Sequence, residues 1–71
     1  MVNILEICLT ELINKKNLLE NELERIVNSN TIETDVKFNK SLSLIEEISN
    51  LYKSIELVNT YITKNNDNLK N

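Results

Sequence analysis

The sequence contains no glycine, no proline, no histidine and no tryptophan, and it has a single cysteine. With neither Gly nor Pro, nothing strongly interrupts a helix, and loops that cradle phosphate on glycine backbone are excluded. With no histidine, Cys8 has no activating base and is a lone soft ligand, which excludes thiol catalysis and a zinc site. One thiol cannot close an internal disulfide, and it fits a reducing compartment. The neighbouring carboxylates Glu46 and Glu47 point about 100° apart on a helix, so they cannot converge on one substrate. The expectation is therefore a protein that is not an enzyme, with no catalytic residue, no cofactor and no metal.

Other absences bear on partners. The net charge is −3, from eight basic and eleven acidic residues. Lys15–Lys16 is the one basic doublet, whereas a nucleic-acid binder concentrates positive charge on one face. No run of about 18 apolar residues exists, so membrane insertion is not expected. The opening Met-Val-Asn-Ile-Leu-Glu lacks a signal peptide's charged start, and Glu6 and Glu11 interrupt the apolar residues, so a cytoplasmic location is expected. A single core in a chain of 71 residues rarely supplies more than about 3–5 kcal/mol. With no disulfide and no metal, the remaining support is a partner, either another copy or another protein.

What is present is heptad spacing. Leu5, Leu12, Leu19 and Ile26 form one series, and Val2, Leu9, Lys16 and Leu23 form the other. Steps of four and three over about three and a half heptads make a coiled-coil seam. Helix 1 is expected over about residues 2–28. The polar stretch at 28–35, Asn-Ser-Asn-Thr-Ile-Glu-Thr-Asp, favours caps and turns. Within it, Asn30 to Glu33 spells a capping box, with Thr31 or Thr34 as alternative caps. A second helix is expected over about 33–64, with Phe38, Ile45, Tyr52 and Asn59 in one series and Ser41, Ile48, Ile55 and Ile62 in the other. Leu42, Leu44, Leu51 and Val58 widen that stripe. Residues 65–71 are polar and unpatterned, and a flexible tail is expected there. The fold class is all-α, an antiparallel two-helix hairpin of coiled-coil type over residues 1–64.

Folding the chain at the turn pairs Ile26 with Phe38, Leu19 with Ile45, Leu12 with Tyr52 or Ile55, and Leu5 with Ile62. Lys16 falls at the Ile48–Tyr52 level. Either its stem covers Ile48 while its ammonium reaches Glu20 or Glu47, or it fixes register as a polar core position. Apolar residues remain beyond this seam: Ile4, Ile7 and Leu18 on helix 1, and Leu57 and Tyr61 on helix 2. Leu18 reads as an ordinary exposed leucine. Ile4, Ile7, Leu57 and Tyr61 belong to the open end of the hairpin and are the expected partner-binding residues. Cys8 adjoins them and reads as a small buried hydrophobe.

Three helical-hairpin families offer comparisons. Rop-like RNA binders need a basic face, which this chain lacks. Small sporulation phosphatases carry Ser-Gln-x-x-Leu-Asp, but here Leu42 follows Ser41 where the Gln should be. The chain resembles the YscE-like co-chaperones of type III secretion needle subunits, through Asp35-Val36-Lys37-Phe38 followed by Ile48, Leu51, Tyr52, Ile55 and Val58. This similarity covers most of residues 5–62. It implies a cytosolic protein that binds a helical-repeat chaperone and, with it, keeps the needle subunit soluble and unpolymerised. The alternative is a homodimeric four-helix-bundle regulator of phage or plasmid type.

Overall fold

The computed structural model describes the backbone of residues 3–70 and the side chains of residues 3–65. It is an antiparallel hairpin of two helices, α1 (Ile4–Val27) and α2 (Thr34–Lys70), with no strand among the described residues. The hairpin measures 57 × 18 × 13 Å, and its radius of gyration is 16.6 Å. A globular chain of this length would have a radius near 11 Å. The described residues are therefore one helix pair thick, with no second layer among them to cover the outer faces.

Each helix begins and ends for a local reason. The Asn3 side chain accepts a hydrogen bond from the Leu5 amide at 2.9 Å, capping α1 where an unpaired donor would otherwise remain. Val2, expected in the seam, lies outside the described residues. The α1 C-terminus closes when the Asn28 amide donates to Glu24 at 3.1 Å and the Ser29 amide donates to Ile26 at 3.2 Å. The capping box over Asn30–Glu33 does not form. Glu33 itself takes the cap position, its carbonyl accepting from the Lys37 amide at 2.8 Å. Ser29 organises the turn instead. Its Oγ accepts from the Thr31 amide at 3.3 Å, and its carbonyl accepts from the Lys37 ammonium at 2.7 Å. That last bond ties the first turn of α2 to the end of α1.

The helical backbone of α2 continues to Lys70, past the end expected near residue 64. Asn and Asp are weak helix formers, but each costs only tenths of a kcal/mol, and no Gly or Pro is present to stop the helix. Asn71 lies outside the described residues.

The core is thin. Among the described residues, Ile26, Ile48 and Leu51 are the buried hydrophobic ones, and each is less than a tenth exposed. Leu5, Leu9, Leu12, Leu19 and Leu23 of α1 are half-buried, as are Leu44, Ile55, Val58 and Ile62 of α2. On α1 this is the expected seam. On α2 one series is displaced by a single residue. Ser41, Ile48, Ile55 and Ile62 face α1, but their companions are Leu44, Leu51 and Val58. Phe38 is 65% exposed and Ile45 is 51% exposed, so neither serves as the expected partner of Ile26 or Leu19. Both choices keep the three–four spacing, and chemistry decides between them. The expected series buries Asn59 and the Tyr52 hydroxyl, whereas Leu44, Leu51 and Val58 of the observed one are aliphatic.

This assignment predicts opposite outcomes for two leucines. Leu51→Ala should cost about 2–4 kcal/mol, close to the whole stability of so small a core, and helicity measured by circular dichroism should largely disappear at room temperature. Leu18→Ala, at a position 69% exposed, should shift stability by less than about 0.5 kcal/mol.

Candidate protein-binding surfaces

Seam geometry divides the exposed residues into two faces. In an antiparallel pair, residues one position before a seam residue on either helix project to one side, and residues one position after project to the other. Ile4 precedes Leu5, Leu57 precedes Val58, and Tyr61 precedes Ile62, so these three share one side of the open end. Ile7 stands two positions before Leu9 and falls further round, on the back of α1. All four expected binding residues are exposed, from Ile7 at 45% to Ile4 at 68%. The Lys64 ammonium lies 5.7 Å from the centre of the Tyr61 ring. Cys8, one position before Leu9, is exposed rather than buried, because none of the described residues covers that side of α1.

The opposite side carries more apolar surface. Ile13 and Val27 follow seam residues on α1, and Phe38, Leu42, Ile45 and Tyr52 follow seam positions on α2. All six are exposed. Val27 and Phe38 line a shallow groove with Thr34, Lys37 and Ser41, which shows that both helices contribute to this side. The seam assignment made from sequence placed Phe38, Ile45 and Tyr52 inside, and so missed this surface. The available signal was Tyr52 beside Leu51: a phenol needs a polar partner for its hydroxyl, and a leucine does not.

At the middle of this side, three polar groups bridge the helices. The Lys16 ammonium sits 3.3 Å from a Glu20 carboxylate oxygen and 5.0 Å from the centre of the Tyr52 ring. The Tyr52 hydroxyl donates to the other Glu20 oxygen at 2.8 Å. The Lys16 side chain is only 18% exposed, so its stem lies in the seam while its charge reaches the edge. The Tyr52 hydrogen bond holds the Glu20 carboxyl below its ordinary value of 4.5, and the Lys16 ammonium adds to this against a partial opposing effect of burial. Away from the seam, the Arg25 guanidinium pairs with Glu22 and holds that carboxyl low as well. Among the described residues no three His, Cys, Asp or Glu side chains converge on a metal position. No helix among them is long and apolar enough to cross a membrane.

A depressed Glu20 pKa means that the folded chain binds fewer protons than the unfolded one between the two values. The bridge therefore stabilises fully above the ordinary value of 4.5 and is lost as pH falls through the lower, folded value. Comparing Glu20→Gln with the parent from about pH 6 to about pH 3, the difference in thermal midpoint should shrink toward zero at the acid end. A difference that stays constant across this range would mean that Glu20 does not bridge the helices in solution.

Comparison of the chain with protein-family models, with curated proteins and with solved structures finds no match.

Proposed function

We propose that this chain is a non-enzymatic helical binding protein whose outer faces are completed by another protein. The observation that carries this reading is the imbalance of its apolar residues. Among the described residues, twelve large hydrophobic side chains are exposed and three are buried. Scattered exposed hydrophobes are ordinary, but clustered ones mark interaction surfaces. Each such side chain contributes about 1.5–3 kcal/mol when fully buried, so a few of them on a partner rival everything the hairpin holds internally.

The specific reading is the YscE-like one. In it, the chain binds a helical-repeat chaperone in the cytoplasm, and together they keep a type III secretion needle subunit from polymerising. Its support is the Asp35–Phe38 stretch opening the second helix, the apolar spacing that follows, and a hairpin too thin to bury its own surface. Ile4, Ile7, Leu57 and Tyr61 would anchor the partner at the open end.

The test is co-expression of the chain with the needle subunit and the helical-repeat chaperone of the same genome. The expected result is a soluble ternary complex that co-purifies. Ile7→Asp or Leu57→Asp should each weaken it by about 1–4 kcal/mol while helicity stays near normal. Leu51→Asp should instead unfold the hairpin, because it places a charge in the seam. A needle subunit that stays insoluble beside the unaltered chain would overturn the co-chaperone reading. A complex that tolerates both Ile7→Asp and Leu57→Asp would move the binding site elsewhere.

A further inference from the structure

Helix α2 carries a second series with coiled-coil spacing, separate from the one that meets α1. Phe38, Leu42, Ile45, Ser49 and Tyr52 follow one another at steps of four, three, four and three. All five are exposed. The series lies about 100° round α2 from the seam with α1, and Ile13 and Val27 of α1 flank it. A surface helix needs only one such seam; a second is what a helix presents to another helix.

We infer that this outer seam of α2 pairs, antiparallel, with the same seam of a second copy of the chain. Three features single out a second copy as the occupant. The first is size matching. Antiparallel alignment about a two-fold axis between Ser43 and Leu44 sets Leu42 against Ile45 of the other copy, on both sides of the axis. The next layer outward sets Phe38 against Ser49, a large side chain against a small one, as interdigitation requires. Parallel alignment would put Phe38 on Phe38 and Ser49 on Ser49, crowding one layer and emptying another.

The second feature is charge. The same register carries Asp35 of each copy to the level of Tyr52 in the other, next to Lys53. The outer layers are thereby closed by two Asp35–Lys53 pairs, and no acidic residue of the α2 seam is set against another. The third is area. Ile13, Val27, Phe38, Leu42, Ile45 and Tyr52 are each more than a third exposed, and together with a polar rim they form a surface on the scale of the about 800 Å² per partner that a specific interface needs. The stems of Lys37, beside Phe38, and Lys53, beside Ile45 and Ser49, lie along that rim. This pairing gives the homodimeric alternative a definite surface. It does not rest on the co-chaperone reading, because the open-end residues Ile4, Ile7, Leu57 and Tyr61 are not used.

Analytical ultracentrifugation of the full chain tests the inference. The expected result is a concentration-dependent monomer–dimer equilibrium. Ile45→Asp should raise the dimer dissociation constant at least about tenfold while circular dichroism still reports helix, since Ile45 lies outside the seam with α1. Asp35→Lys and Lys53→Asp should each weaken the dimer, and the double variant should recover it, which only the antiparallel register predicts. Ile7→Asp and Leu57→Asp should leave the equilibrium unchanged. A chain that is monomeric at every concentration up to about 0.5 mM, well above the dissociation constants of specific complexes, would overturn the proposal. So would a dimer indifferent to Ile45→Asp, or a charge swap that fails to restore association.

Discussion

Two helices share a single interface, and the rest of this structure follows from that limit. The α2 sequence offers apolar residues over much more of its circumference than one neighbour can cover. Two three–four series compete for the side facing α1, and both include Ser41, Ile48, Ile55 and Ile62. The choice between Leu44, Leu51, Val58 and Phe38, Ile45, Tyr52, Asn59 turns on polar atoms. Burying an amide or a phenol without a partner costs several times what an aliphatic side chain of similar size gains or loses by position. The aliphatic set turns inward, and the other is displaced to the surface of the same helix.

Lys16 fits this same selection. A leucine there would extend the α1 seam without interruption, yet the lysine sits where α2 presents Tyr52 at the seam's edge. Its stem occupies the apolar position, and its ammonium reaches both the Glu20 carboxylate and the face of the Tyr52 ring. Glu20 in turn accepts the Tyr52 hydroxyl. One carboxylate therefore satisfies a cation on its own helix and a phenol on the other. Exposed ion pairs contribute little stability, so the value of this cluster lies in rotation: with Tyr52 held at the edge, Leu51 must point inward. Between the two roles read for Lys16 from the sequence, the observed geometry combines a snorkelling stem with a contact across the helices.

The hairpin was legible because its signals are redundant. The α1 seam repeats over several heptads, and the turn is marked by a dense run of short polar side chains, so errors at single residues do not change the outcome. The rotation of α2 was not legible, because shifting one series by a residue preserves the periodicity and alters only which polar atoms are buried. The capping box failed for a related reason: Asn30 to Glu33 has the right letters, but the cap falls three residues later, at Glu33, and Ser29 and Lys37 close the turn. Cys8 was misplaced because cysteine is usually buried when something is available to bury it, and a two-helix molecule has nothing on that side. The open-end residues were read as exposed from their phase alone, and their exposure agrees with it.

A core of three buried residues among those described has a further consequence. Its free energy is small enough that covering any outer face adds a comparable amount, so folding and association become linked through mass action. The two exposed apolar regions are set by opposite displacements from the same seam: one position before it for Ile4, Leu57 and Tyr61 at the open end, one position after it along the middle of α2. They consequently lie on opposite sides of a body only 13 to 18 Å across. Occupying one does not block the other sterically, yet each stabilises the hairpin that carries both. Binding on one side would then favour binding on the other through the shared folded state, with no contact between the two ligands and no movement of the helices.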